Sequence, residues 1–307
     1  MSVGNAGPDV SARFVFAVSL KPRSACTDWE QAQANLRRTI RSALHGAAGN
    51  AIVVVACHDV PELAEQDGGA VRICPVPFPE PVDVSEGGRD KARKRRHIGA
   101  WLREAMVDDE LHVMFLDADD LVHKDLVPHV LDHGHGSYLV DRGYIVDVAS
   151  GLVRHRLEGF HLTCGSSFVC RFSRDELPSS WEDDASFYGQ FGASPQQRGH
   201  QEYGQVAADH GRAPVTVPFQ AVAYLVNHGE SMWAAKGRGR RSVAGPRELV
   251  SSPAARRIVA EDFAAPDLAR ELAGRGGVTS AFIGASRRRL TERLFALTSR
   301  PESGRRP

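Results

Sequence analysis

The stretch VMFLDADDLVHKDL, residues 113–126, decides how this chain is read. An apolar run ends at Leu116, and three carboxylates follow within four positions at Asp117, Asp119 and Asp120. Like charges this close repel, so a cation, hydrogen-bond donors or water must hold them. In an extended segment Asp117 and Asp119 share one face, with Ala118 on the other. Two carboxylates on one face suit a hard divalent cation, Mn2+ or Mg2+, which takes oxygen ligands and bridges to phosphates. Asp120 reads as the cap of a helix running from Leu121 to Leu131.

Working outward, HVMFLD (112–117) is a buried strand with the carboxylates at its C-terminal end. Upstream, FVFAVSL (14–20), AIVVVACH (51–58) and AVRICPV (70–76) are β-rich runs. The four-residue spacing of Ala32, Leu36, Ile40 and Leu44 predicts a helix over 29–44. RKRRHIGAWLREAM (93–106) reads as a second helix with Ile98, Trp101, Leu102 and Ala105 inward. This rhythm predicts an α/β fold with a mostly parallel central sheet flanked by helices. Ligands of such sheets bind beyond the carboxyl ends of the strands, where the aspartates lie.

The second half is less regular. SYLVDRGYIVDV (137–148), SGLVRHRL, SSFVCRF (166–172) and VPFQAVAYLV (217–226) read as strands, and HQEYGQVAADHG (200–211) as a helix ending at Gly211. PSSWEDDASFYGQFGASPQQRG between them reads as a long polar loop. FHLTCGSSF (160–168) reads either as a bent strand or as pocket lining, its glycine permitting close backbone approach. NHGESMWAAKGRGRRSVAGP (227–246) is a basic, glycine-bearing loop with the composition of a lid over a diphosphate. Helical patches follow around 254–273 and 286–298. The expected organisation is a disordered N-terminus (1–12), an α/β domain (13–233), and a basic C-terminal loop and helical extension (234–307).

The chain has 307 residues, 42% hydrophobic and 25% charged, which suits a folded globular protein. Net charge is zero, but from Lys236 onward 16 basic side chains face only 7 acidic ones. That tail carries no Tyr or Trp, so stacking platforms are scarce and no nucleic-acid partner is expected. Five cysteines without paired spacing argue for a reducing compartment and against a zinc site. No apolar run approaches the length of a membrane span, and the N-terminus has no signal-peptide pattern. A cytoplasmic location is the expectation. A homodimer is left open.

DKARKRRHIG, just before the metal strand, supplies Lys91, Arg93, Lys94, Arg95 and Arg96, a phosphate-binding chemistry. Most of these belong to a solvated helix face, with one or two turned inward.

In segment order, residues 13 to about 233 resemble the glycosyltransferases of the GT-A fold, particularly bacterial family 2-like enzymes. The hallmark is the Asp-x-Asp closing the metal strand, matched by Asp117-Ala118-Asp119. RHIG (96–99) stands where that family has an Arg-Asn-x-Gly-like segment, with His97 in place of the asparagine. The resemblance implies a Rossmann-like nucleotide-diphospho-sugar transferase. Its partners would be a UDP- or GDP-sugar donor and an acceptor that the sequence does not name. The donor would meet Leu20 and Lys21 after the first strand, Asp59 after the second, Lys91, Arg96, Asp117 and Ala118. Asp119 would ligate Mn2+ or Mg2+, with His228 as a further ligand from the C-terminal part of the domain. Glu202 would be the base that deprotonates the acceptor, with His200 assisting and Asp183 or Asp184 as substitutes.

Competing readings exist. A haloacid-dehalogenase-type phosphatase carries its Asp-x-Asp on the first strand, not about a hundred residues in. A nucleotidyltransferase shares the sheet and carboxylates but puts a Gly-rich loop after the first strand, and LKPRSACTDW has no glycine. A non-catalytic sugar-nucleotide binder would be marked by loss of a metal carboxylate.

Overall fold

The structure, a computed structural model, describes residues 13–63, 69–191, 199–230 and 249–275. The expectations for 1–12 and 286–298, and for most of the lid loop, lie outside the described residues.

The first half follows the predicted rhythm: β1 (Phe14–Ser19), α1 (Trp29–Leu44), β2 (Ala51–Cys57), β3 (Val71–Pro75), α2 (Gly87–Ala105) and β4 (Glu110–Asp117). Helix α1 starts because Asp28 caps it, its carboxylate accepting from the Gln31 N–H at 3.1 Å. Such a cap contributes about 1 kcal/mol. After β4 come β5 (Leu121–Val122), α3 (Leu126–His133), β6 (Ser137–Leu139), β7 (Gly143–Asp147) and β8 (Leu152–Arg156). Then follow β9 (Phe168–Ser173), α4 (Tyr203–Asp209), β10 (Val215–Thr216) and β11 (Val222–Val226).

Among the described residues the main sheet runs β10-β6-β9-β4-β1-β2-β3, and a smaller one runs β5-β11-β7-β8. Strands β4, β1, β2 and β3 are mutually parallel, while β9 is antiparallel to both β4 and β6. The result is a mixed α/β fold with a mostly parallel seven-stranded sheet. From β1 the chain moves outward through β2 and β3, then returns to place β4 on the other side of β1. That reversal makes the β1–β4 boundary a switch point, the place where ligands of such sheets bind. In register, Ser19 at the end of β1 stands beside Asp117 at the end of β4.

Alternation along the strands fills both faces. Phe14, Phe16 and Val18 of β1, with Val53 and Val55 of β2, pack on the α1 side. Val15, Ala17, Val54 and Phe115 point the other way, toward Ile98 and Leu102 of α2. Each fully buried side chain of this kind contributes about 1.5–3 kcal/mol. The loop read as polar is also part of the core: Phe187, Tyr188 and Phe191 are buried against Phe115 and Phe172. Gly99 of RHIG has a packing reason, since a Cβ there would lie 2.7 Å from Pro178 and 2.8 Å from the Tyr188 ring.

Three expectations are corrected. Leu121 and Val122 are not helical: they pair antiparallel with Ala223 and Val222 of β11, and the helix begins only at Leu126. Residues 160–168 form no continuous strand, because Phe160–Leu162 is a 3-10 turn and β9 starts at Phe168. The expected single strand 217–226 is shorter, Val222–Val226.

Residues 249–275 close over the smaller sheet. Helices Ser252–Arg257 and Pro266–Gly274, joined by a π-helical turn (Ile258–Asp262), bury Val259, Phe263, Leu268 and Leu272 against Tyr144, Val146 and Leu225. Arg38 and Arg41 of α1 hold Asp267 at 2.9 and 2.5 Å.

Candidate functional site

The backbone does not stay extended past Asp117, so Asp117 and Asp119 do not share a strand face. It turns at residues 118–119, and the Asp120 N–H donates to the Asp117 carbonyl at 3.2 Å. The turn sends the three carboxylates to three different environments.

Asp120 is fully buried and caps no helix. Its carboxyl accepts from Ser166 Oγ at 2.6 Å, Cys164 Sγ at 3.3 Å and the Leu225 N–H at 3.3 Å. Ser166 Oγ also accepts the Asp117 N–H at 2.9 Å, so one hydroxyl staples both ends of the turn. Burial, then the neighbouring Asp119 and Asp117, push the Asp120 carboxyl well above the usual range. Asp120 is therefore an internal tie between β4, the 164–166 loop and β11. Within the 160–168 segment, Cys164 and Ser166 thus hold the turn.

Asp117 faces cations. Lys91 Nζ stands 2.5 Å and Arg95 Nη2 3.6 Å from its Oδ1. Burial alone would raise its pKa, but Lys91 and then Arg95 outweigh it and hold the carboxyl below its usual value. A Cβ at Gly165 would lie only 3.1 Å from Asp117 Oδ2, so a side chain there would crowd the carboxylate. Arg95 lies over the Phe115 ring at 4.8 Å and donates to the Tyr203 hydroxyl.

Asp119 meets a histidine. His228 Nε2 is 2.9 Å from Asp119 Oδ2, and the imidazole is almost wholly buried. That nitrogen has no hydrogen bond of good geometry among the described residues. Two ligands at right angles on an octahedral cation, with bonds of about 2.1 Å, are about 3 Å apart. The Asp119–His228 pair therefore fits as two ligands of Mn2+ or Mg2+. No group of three or more His, Cys, Asp or Glu forms a metal cage among the described residues. A cation here would complete its shell with phosphate oxygens and water, as a magnesium-type ion does.

The end of β1 is built by lysines. Lys94 is fully buried, its ammonium donating to the Leu20 carbonyl and Asp90 Oδ2, both at 2.7 Å. His58 Nε2 lies 2.8 Å from the other Asp90 oxygen. Lys21 pairs with Glu230, whose carboxylate also takes the Asp28 N–H at 2.6 Å and the Thr27 N–H at 3.2 Å. Glu230 thereby fastens the loop after β1 to the segment carrying His228.

The expected site residues divide. Lys91, Asp117, Ala118, Asp119, His228, Leu20 and Lys21 gather at the β1–β4 edge. His200, in the 3-10 turn Gly199–Glu202, joins them: burial lowers its pKa, and Asp117, Lys91 and Arg95 act on it electrostatically. Glu202 closes that turn at the start of α4 without capping the helix by its side chain. Asp59 accepts the Arg23 N–H at 2.7 Å. Arg96 turns away from Asp117, its Nε donating to the Trp181 carbonyl at 2.8 Å. Asp183 is engaged in its own loop, accepting from the Ser179 and Ser186 N–H groups.

Lys94 and Arg95 are members of the basic run that turn inward, and Ser166 belongs to the segment read as a bent strand or pocket lining. Asn35 and Glu230 have no role in the sequence reading. For Lys94 and Arg95 a signal existed. Stepping back from Ile98 by three or four residues reaches Arg95 and Lys94, and a second such step reaches Lys91, on the same helix face. Asn35 and Glu230 left no such trace, because their long-range partners lie 193 to 209 residues away.

Fold and site together define an α/β protein whose acidic and basic side chains gather at the switch point of its sheet. No family model matches the chain. A search of curated proteins finds no match either. Among solved structures, a CMP:2-keto-3-deoxy-manno-octonic acid synthetase complexed with CTP is similar over 74% of this chain and 95% of that one. Identity is 11% and the TM-score 0.30, a likeness too slight to argue from. No helix among the described residues is long and apolar enough to cross a membrane.

Proposed function

We propose that this chain is a cation-dependent transferase acting on a nucleotide-diphosphate sugar, and within that class a glycosyltransferase of the GT-A type. The observation that carries the reading is the Asp119–His228 pair, 2.9 Å apart at the carboxyl edge of the sheet. Asp119 and His228 would hold Mn2+ or Mg2+, and the bound cation would neutralise the charge of the leaving diphosphate. Lys91 and Arg95 orient Asp117 beside the donor, and Lys94 fixes the Leu20 carbonyl near the nucleotide. In an inverting transfer the acceptor oxygen bonds to the anomeric carbon as the bond to diphosphate breaks. The acceptor proton then passes to Glu202, with His200 alongside.

A second reading is nucleotidyl transfer, which the same Asp119–His228 pair and the Lys91 and Arg95 cations beside Asp117 would also serve.

One thermal-shift panel separates the two. With Mn2+ or Mg2+ present, a UDP- or GDP-sugar should raise the melting temperature more than CTP, UTP or GTP does. Asp119→Ala should abolish that rise. Stabilisation by a nucleoside triphosphate alone would favour nucleotidyl transfer, and no shift with any nucleotide would reject both readings.

A further inference from the structure

The His228 ring has two nitrogens, and only one hydrogen-bond partner holds it among the described residues. Asn35 of α1 places its side-chain amide nitrogen 3.1 Å from His228 Nδ1. Asn35 is itself buried, and Gln31, one helical turn earlier, donates from Nε2 to Asn35 Oδ1 at 2.9 Å. The amide pair and the imidazole thus form a line from the surface of α1 to Asp119.

The direction of this line sets which nitrogen carries the ring proton. With the Asn35 amide N–H facing Nδ1, that nitrogen accepts, and a neutral imidazole carries its proton on Nε2. An Nε2 proton blocks the lone pair that a cation beside Asp119 needs. It also lies in a buried place where no well-aligned acceptor takes it. A half-turn of the Asn35 amide puts Oδ1 against Nδ1. The proton then belongs on Nδ1 and the Nε2 lone pair is free. The Gln31 amide can turn with it, its oxygen taking over as acceptor from Asn35 Nδ2. Histidine stays neutral in both arrangements: one proton leaves Nε2 for solvent and one joins Nδ1.

We infer that Asn35, backed by Gln31, is a positioning residue with two settings, and that a divalent cation at Asp119 selects the one presenting the His228 Nε2 lone pair. The inference rests on the cation reading of the Asp119–His228 pair but concerns residues that the reading does not include. Glu230 supports it mechanically, because its bonds to the Thr27 and Asp28 N–H groups and to Lys21 clamp the His228 segment onto the start of α1. The imidazole can therefore rotate little, and the amide must do the switching.

The test uses the full chain labelled with 15N on histidine, with the His228 signals assigned by their absence in His228→Gln. Long-range proton–nitrogen correlation should show Nε2–H in the cation-free protein and Nδ1–H after addition of Cd2+, a diamagnetic cation close to Mn2+ in size. Asn35→Asp, whose carboxylate can only accept, should show Nδ1–H before any cation is added. Asn35→Leu should weaken Mn2+ binding, followed by electron paramagnetic resonance, by about 10- to 100-fold. Thermal melts of both variants in the absence of cation separate this from unfolding. Three results would overturn the inference alone: an unchanged His228 tautomer with Cd2+ bound, Nδ1–H already present in the cation-free protein, or wild-type Mn2+ affinity in Asn35→Leu. If the unaltered chain shows no saturable Mn2+ binding that Asp119→Ala removes, the cation reading falls, and the inference with it.

Discussion

His228 Nε2 and Asp119 Oδ2 approach to 2.9 Å, although 109 residues separate them in the chain. Asp119 lies in the turn after β4 and His228 follows β11, and the β5–β11 pairing and the Asp120–Leu225 bond bring the pair together. Its dependence on a cation is the first thing to measure. His228→Ala and Asp119→Ala should each remove the rise in melting temperature that Mn2+ gives with a UDP- or GDP-sugar. Neither should lower cation-free stability as much as a core truncation does. Differential scanning fluorimetry with and without Mn2+ reads both effects.

Ser166 links the neighbouring backbone to the buried acid. Ser166→Ala removes the acceptor of the Asp117 N–H and a donor to Asp120, both inside the protein. Leaving such groups unpaired costs about 1–3 kcal/mol. Urea denaturation should show that loss, and cation binding should weaken as the turn loosens.

Lys94 is a fully buried ammonium, and burial lowers its pKa while Asp90 opposes the shift. Lys94→Met leaves the Asp90 carboxylate inside with only His58 to meet it. Breaking a buried pair this way costs about 3–5 kcal/mol. Lys94→Met combined with Asp90→Asn should recover part of the loss, since no uncompensated charge then remains. Equilibrium unfolding of the two variants gives the comparison.

His112 supplies a pH signature. Burial lowers its pKa below 6.5, and its Nε2 lies 3.1 Å from the His135 carbonyl. The unfolded chain therefore takes up a proton near pH 6.5 while the folded chain resists until lower pH. In that window the unfolded state holds more protons, so stability rises with pH and falls on acidification. His97, His123, His129 and His200 are shifted the same way, each chiefly by burial. Melting temperature should drop as pH falls below about 6.5, and the drop should be smaller in His112→Gln.

Much of the first half is legible in the sequence. Strands of Phe, Val and Ile, and a helix with apolar residues four apart, are local signals, and β1, α1, β2, β3 and β4 lie where they indicate. The position of the aspartates at a strand end was equally local. The start of α3 was misread because Leu121–Val122 follows the helical pattern, yet β11 captures it as a strand. Pairing to a segment a hundred residues away overrides a two-residue preference. Asp120 was misread for the same reason: a cap and a buried tie look identical in sequence, and only Ser166, Cys164 and Leu225 distinguish them.

By itself, then, the sequence determined the parallel α/β core and the crowding of three carboxylates at its edge, because period, β-branching and spacing act over a few residues. The tertiary structure decided what each carboxylate does: Asp117 to Lys91 and Arg95, Asp119 to His228, Asp120 to the interior. Those roles depend on side chains brought together from α2, the 164–166 loop and the end of β11. No local pattern encodes them, since charge pairing and burial are settled by distance in space rather than along the chain.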